Sequence, residues 1–339
     1  MKVLIDFRPA KGCENYEGAR LRKTLKGACE SADVTWVESL LSSPDVAHFL
    51  SPDDGGKAKK AKDKGCKVVF SIGYSDSDPK TNFFYKKNGG LLLKRKGLKT
   101  LSYADLLLVP DVETKERLEN GLIKGKIVVL EPTVNLARFE CVSAVERSVF
   151  KRYFSVKDGE PYALAIGEYQ KKGAVACFED LAKRNPELKF YVLFNRTRSF
   201  ASTYRANKEN ARAPKNLFYS PLVEDDVYRS ALLGASAFIK FGNSNDAVSL
   251  YEAFASKTPV IAIGENEEAP FLKNGKNCLA YQKAADVPNL LQTLSKDEMR
   301  EIIITAYRQA RDNALPIFGK KLKACYQDLI KQKGGHHHD

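Results

Sequence analysis

At 339 residues, 43% hydrophobic and 29% charged, the chain reads as globular rather than disordered and as too long for one ordinary core, so two domains are expected. No apolar run approaches the roughly 20 residues that span a bilayer, and the N-terminal MKVLIDFRPAKG reads as a strand and turn rather than a signal peptide, which points to a cytoplasmic protein. The formal charge of +13 favours an anionic partner; seven cysteines without a CxxC pair and a single histidine, His48, outside the GGHHHD tail argue against a disulfide framework or a histidine-based metal site.

In chain order, Lys2 to Phe7 is an apolar strand, followed by a loop and a helical periodicity that begins at Gly18. A small residue at such a strand-to-helix turn lets a phosphate approach the backbone, or it only caps the turn. Asp33 to Val37 and Asp45 to Leu50 are the next strands, and the second carries His48, either a hydrogen-bonded structural histidine or a catalytic one. A basic helix over Lys57 to Lys64 and the strand Lys67 to Ser71 lead into the loop Ile72 to Lys80, which bears Asp76 and Asp78 at a strand's C-terminal end, where open α/β sheets place ligands.

The charge is concentrated, since residues 55–104 hold thirteen Lys or Arg against Asp63, Asp76 and Asp78. Within this region FFYKKNGGLLLKRKGLKTL (83–101) mixes Phe83, Phe84, Tyr85 and Leu91 to Leu93 with Lys86, Lys87, Lys94, Arg95, Lys96 and Lys99, and contains no acid. Such a segment suits either the surface of an anionic bilayer or a solvated face over the core. Ala104 to Pro110 is a buried strand, Glu113 to Asn120 a helix and Lys126 to Leu130 a strand, with the first half ending near Phe150 and a linker over 154–160.

A second α/β array follows. Tyr162 to Ile166 is a strand, Gly167 to Gly173 a glycine-bounded loop with Lys171 and Lys172, Val175 to Asn185 a helix, and Phe190 to Phe194 a strand leading to Asn195 and Arg196. Asn216 to Tyr219, Glu224 to Leu233 and Ala237 to Lys240 continue the alternation. Residues 241–264, FGNSNDAVSLYEAFASKTPVIAIG, then read as polar loop, buried helix, Lys-Thr-Pro break and doubly buried strand. One carboxylate, Glu252, lies inside that apolar helix, where a charge is costly unless paired, and the helix start aims N–H groups at the preceding loop as an anion site.

Two consecutive βα arrays predict an α/β protein of two Rossmann-like domains facing across a cleft, residues 1–153 and 154–314. An amphipathic helix over 315–333 returns to the first domain, and 334–339 is a tail resembling an expression tag.

Four runs, SYADLLLVPDVETKERLENGLIKGKIVVLEPTVNLARFE, ALAIGEYQKKGA, NLFYSPLVEDDVYRSALLGASAF and LYEAFASKTPVIAI with EAPFLKNGKNCLAY, stand in an order and spacing that resembles the retaining family-four GT-B glycosyltransferases. The compact length, with DVAHFLSP and KVVFS, is most similar to bacterial enzymes that glycosylate diacylglycerol lipids. The resemblance implies transfer of a hexose from a nucleotide sugar, a UDP-sugar in the first instance, to an acceptor hydroxyl with retention and with no metal or other cofactor. Glu252 would accept hydrogen bonds from the donor's ribose, Ser249 and Leu250 would give backbone N–H groups to its diphosphate, and Lys172 would neutralise it. Gly18 matches the glycine loop of the family's first domain, the backbone from Tyr219 to Leu222 would hold the base, and Gly167, Asn195 and Arg196 would join the donor-binding residues.

Five positions depart from the family pattern. Ser244 replaces a sugar-contacting glutamate, Ala247 and Lys257 stand where glycines are usual, Glu168 replaces an arginine, and Ile72 or Gly73 falls where a histidine is common. The sugar would then be held by Asn243, Asn245 or Asp246, or by Asp76 or Asp78 across the cleft, with Asp246, Asp76 and His48 as candidate catalytic groups. The competing reading is a scaffold that keeps the fold and has lost the chemistry. Nucleic-acid binding is suggested by charge alone, without a recognition helix, RNA-binding strand motif or zinc module.

Overall fold

The computed structural model describes all residues except 10, 12–15, 76, 77, 79, 88, 89, 121, 122, 124, 168–171, 198, 199, 243–245, 265–270 and 332–339. The first half runs β1 (Lys2–Asp6), α1 (Glu17–Ser31), β2 (Thr35–Val37), β3 (Val46–Phe49), α2 (Gly55–Asp63), β4 (Lys67–Ser71), β5 (Phe84–Lys87), β6 (Gly90–Leu93), α3 (Arg95–Leu101), β7 (Leu106–Val109), α4 (Val112–Asn120) and β8 (Lys126–Val129). Two short helices, α5 (Ala144–Arg147) and α6 (Val149–Tyr153), lead to the second half. There follow β9 (Tyr162–Gly167), α7 (Lys172–Arg184), β10 (Lys189–Thr197), α8 (Phe200–Asn210), β11 (Leu217–Leu222), α9 (Asp225–Gly234), β12 (Ala237–Phe241), α10 (Ala247–Ala255), β13 (Val260–Ile263) and β14 (Leu279–Tyr281). The chain closes with α11 (Leu290–Leu294), α12 (Asp297–Asp312) and α13 (Leu315–Lys331).

Each half contains a six-stranded sheet whose strand pairs are all parallel, as continuous apolar runs such as Leu106–Val109 and Val260–Ile263 require when both faces are covered by helices. The first has the order β2-β1-β3-β4-β7-β8, the second β11-β10-β9-β12-β13-β14. In both, the order reverses beside the first strand of the half, so each has a crevice at the carboxyl ends of its strands. In the second half that crevice lies between β9 and β12, which pair through Ala163 with Ala237 and Leu164 with Phe238.

The crossover helix is present. Leu315, Phe318, Leu322, Tyr326 and Leu329 of α13 share a core with Leu21, Leu25, Ala28 and Cys29 of α1. Gly319 lets the two helices approach this closely, because a Cβ there would stand 2.3 Å from the Ala28 carbonyl oxygen. At the other boundary Phe150, where the sequence reading ends the first half, is fully buried in the second half's core with Tyr162, Tyr191 and Val227.

The basic stretch 83–101 divides in two. Strands β5 and β6 form an antiparallel hairpin and α3 follows as a short helix. Tyr85 and Leu92 face each other across the hairpin at 43% and 46% exposure, and Leu98 on α3 is 42% exposed. Helix α8, strand β14 and helices α11 and α12 have no counterpart in the sequence reading, although α12 buries Met299, Ile302, Ala306 and Ala310 at helical spacing, a signal the sequence does carry.

Candidate functional site

Helix α10 is buried along its whole length, and its first turn meets the first half directly. The Ala247 N–H donates to the Tyr74 carbonyl at 3.1 Å, and Ser75 and Asp246 form an isolated antiparallel bridge. Glu252 sits one turn further on at 3% exposure. Its Oε1 accepts from Arg138 Nη1 at 2.9 Å, and its Oε2 lies 3.1 Å from Arg20 Nη2. The cost that the sequence assigns to a charge inside this helix is thus met by two guanidiniums, one from α1 and one from the segment before α5.

The cluster extends on both sides. Arg138 also binds Asp225 at 2.7 Å, and Lys23 reaches the other Asp225 oxygen at 3.1 Å. The Arg20 guanidinium lies over the Tyr228 ring at 4.5 Å from its centroid. Although burial works against its charge, Glu252, Tyr228 and Glu17 hold its pKa well above the usual value. Burial also opposes the charge of Asp225, yet Arg138 and Lys23 hold its pKa below the ordinary one.

Glu17 completes the group at 1% exposure. Its Oε1 accepts from the Ser249 N–H at 3.1 Å, from the Ser249 hydroxyl, and from Arg20 at 3.0 Å. Arg20 also donates to Ser249 Oγ at 2.7 Å. Burial, with Asp246 and Glu252 adding to it, pushes the Glu17 carboxyl up to about 8 despite Arg20 and Ser249.

Several sequence expectations change against this geometry. The Ser249 N–H, assigned to the diphosphate, is taken by Glu17, and the Leu250 N–H is an intrahelical donor to the Asp246 carbonyl at 3.1 Å. The Gly18 N–H donates to Asp78 Oδ2 at 3.1 Å, and a Cβ at Gly18 would lie 2.5 Å from Phe7 and 2.7 Å from Asp78. Asp78, offered as a sugar ligand, is therefore a buried clamp between α1 and the 75–81 loop. The Tyr219 N–H and carbonyl, offered to a base, are both bonded to the Asn210 side chain, at 2.7 and 2.9 Å.

His48 is fully buried, with Nδ1 2.6 Å from Tyr326 Oη and Nε2 2.8 Å from Ser71 Oγ. Burial depresses its pKa to about 3, so the ring is neutral and ties α13 to β3 and β4. It reaches no substrate from there, and the structural alternative describes its surroundings. Asp246 is 4% exposed, with its Oδ2 3.3 Å from Lys240 Nζ. Asp76, Asn243, Ser244, Asn245 and Glu168 lie outside the described residues, as do the side chains of Lys172, Asn195, Arg196 and Leu222. Their backbone positions, where described, still converge: Gly167 ends β9, Lys172 starts α7, and Asn195, Arg196 and Leu222 lie at the carboxyl ends of β10 and β11.

Two of the substituted positions have a visible consequence. Lys257 adopts φ +60°, the left-handed conformation that explains a usual glycine after this helix. Ile72 is fully buried in the first half's core and leaves no ionisable group where the histidine is common. Sequence reasoning missed Glu17, Arg20, Arg138 and Asp225. The i,i+3 spacing of Glu17 and Arg20 is an available signal for that pair, but nothing local links Glu17 to a serine 232 residues away.

Between the halves, Arg20, Lys23, Thr133, Asn135, Arg138, Glu252 and neighbouring apolar groups enclose a cavity of about 50 Å³. A roomier hollow of about 530 Å³ lies at the opposite, amino ends of β3 and β4, beside Asp45, Lys67 and Ile330.

No protein-family model matches the chain. Over 232 residues, 68% of the chain and 69% of the relative, it is 23% identical to a processive diacylglycerol alpha-glucosyltransferase of Acholeplasma laidlawii. The Anabaena protein HepE in complex with UDP-glucose superposes with a TM-score of 0.71 at 11% identity, covering 97% of this chain and all of that one. A sucrose-phosphate synthase from Thermosynechococcus elongatus gives 0.71 at 12% identity over 98% and 99% of the two chains. A Rickettsia africae glycosyltransferase gives 0.69 at 14% identity over 97% and 98%. With two parallel six-stranded sheets, the helix that crosses back to the first half, and these neighbours, the chain has the GT-B fold of glycosyltransferases.

Proposed function

We propose that the chain transfers a hexose from a UDP-sugar to the hydroxyl of a diacylglycerol-type membrane lipid, with retention. The observation that carries the reading is Glu252, a carboxylate buried at the switch point of the second sheet, where a ribose would meet it. The Anabaena neighbour's complex with UDP-glucose and the name of the Acholeplasma relative supply the donor and acceptor classes. In the step proposed, the bond from the sugar's anomeric carbon to the diphosphate breaks and one to the acceptor oxygen forms on the same face. The acceptor's proton passes to the leaving phosphate oxygen. Arg20, Lys172 and the start of α10 would balance the developing negative charge, a task cations and helix termini perform without a metal. Asp246 and the polar loop before it would contact the sugar hydroxyls.

UDP-hexose is expected to raise the thermal midpoint of the chain, since at about 100 times its dissociation constant a ligand adds about 2.7 kcal/mol to stability. Glu252→Ala should remove that protection. The absence of a shift with any nucleotide sugar would contradict the donor assignment.

A second reading, a GT-B scaffold without turnover, is favoured by one observation: Gly18 and Ser249 direct their N–H groups to protein carboxylates. Labelled product from UDP-hexose and diacylglycerol in anionic vesicles separates the two.

The acceptor assignment brings in the membrane. No helix among the described residues is long and apolar enough to cross one. We propose that the β5–β6 hairpin and α3 lie on an anionic surface, with Tyr85, Leu92 and Leu98 entering the interface and the cations Lys94, Arg95, Lys96 and Lys99 exchanging their present surroundings, for Lys94 the Asn82 carbonyl at 2.6 Å and for Lys96 the Asp53 carboxylate at 2.7 Å, for lipid phosphates. The side chains of Lys86 and Lys87 lie outside the described residues. At roughly 1 kcal/mol per cation, neutralising Lys94, Arg95 and Lys96 should weaken vesicle sedimentation on the order of 100-fold at low salt. Unchanged binding would exclude this patch.

A further inference from the structure

A helix N-terminus in a cleft invites an anion, and here the anion is supplied by the chain itself. Glu17 Oε1 makes the contacts a phosphate oxygen would make at α10, taking the Ser249 N–H, the Ser249 hydroxyl and an Arg20 donor. Its second oxygen, Oε2, is buried and makes no hydrogen bond among the described residues. The remaining space beside Glu252, about 50 Å³, is far below the several hundred that small-molecule sites enclose. A diphosphate can reach Ser249 only if the halves part and Glu17 leaves.

We propose that Glu17 is an internal stand-in for the donor's diphosphate, and thereby the residue that sets how tightly the cleft takes that ligand. The identity of the anion rests on the nucleotide-sugar reading above; the competition for Ser249 does not. Arg20 faces Glu17 from its own helix, and Asp246, Ser249 and Glu252 face it from α10. In the closed arrangement its carboxyl keeps its proton up to about 8, whereas released into water it would ionise near its ordinary value of 4.5. Closure therefore takes up a proton between those values, so the stand-in holds better at acid pH and loosens as pH rises towards 8.

The test titrates the full chain with inorganic pyrophosphate and with UDP-glucose at about pH 6.5 and about pH 8. Glu17→Ala is expected to bind both ligands roughly tenfold or more tightly than wild type at the lower pH. Glu17→Gln, which has the shape of the neutral carboxyl, stays on Ser249. It should bind no more tightly than wild type at pH 6.5 and should lack the wild-type gain at pH 8, the ligand's own titration being common to both. Equal affinities of folded Glu17→Ala and wild type would overturn the proposal. If Glu17→Ala does not fold, a full wild-type pH dependence in Glu17→Gln overturns it equally. If Glu17→Ala gains pyrophosphate binding but shows no preference for UDP-glucose, the stand-in holds and the nucleotide-sugar reading falls.

Discussion

Glu252→Ala is expected to lower the free energy of unfolding by about 3–5 kcal/mol, the usual cost of leaving a buried charge without its partner. The variant would leave Arg20, at 5% exposure, with a single carboxylate, Glu17, and would strip Arg138 of one of its two acids. Because these partners come from α1, from the segment before α5 and from α10, the loss would fall on the join between the halves. Urea unfolding gives the size, and hydrogen exchange at the first turns of α1 and α10 gives the place. Glu252→Gln keeps the shape and one hydrogen bond to Arg138, and should fall between wild type and alanine. Adding Arg138→Ala to Glu252→Ala should cost less than the sum of the two single changes, because the second removes a cation the first has already left unpaired. A Glu252→Ala chain within 1 kcal/mol of wild type would mean that water or rearranged side chains neutralise Arg20, and that the cluster does not hold the halves together.

Phe150→Ala should have an effect of similar size, about 3–5 kcal/mol, through packing rather than charge. The ring is fully buried, stacked on Tyr162 at 4.9 Å between centroids, edge-on to Tyr191 at 5.1 Å and tilted against Phe154 at 4.8 Å. Its backbone N–H also donates to Ser230 Oγ on α9 at 2.9 Å. Truncation would open a cavity where three aromatic rings meet and loosen α6 from α9. The expected result is a lower urea midpoint together with faster amide exchange in α9 and β9, while β3 and β4 keep their protection. Loss spread evenly over both halves would show instead that the two sheets unfold as one unit. These two variants separate the forces: raised salt should weaken little of either, since both sites are buried, but only the Glu252 variant should also change donor protection.

The strands and most of the helices were legible because their signal is local. Apolar runs such as Leu106–Val109 and Val260–Ile263 mark doubly buried strands wherever they occur, and the alternation of strand and helix restricts connectivity to right-handed crossovers. The segment 83–101 was legible in composition but not in shape, because its glycines and mixed polarity fit a hairpin and a short helix as well as an interfacial segment. His48 shows a similar limit. Its position on a buried strand is visible, but its partners Tyr326 and Ser71 arrive from α13 and β4, 278 and 23 residues away.

By itself the sequence determined two βα arrays, the returning helix and the position of one costly carboxylate inside the helix over 247–255. Side-chain periodicity records which face of a neighbouring backbone is dry, and that is a property of a few consecutive residues. Only the tertiary structure decided that Glu252 is neutralised by Arg20 and Arg138, and that Glu17 covers Ser249. Such pairings depend on how two separately packed halves dock, a geometry set by the sum of many distant contacts. The same helix start that reads as an open anion site is, in the folded chain, already occupied.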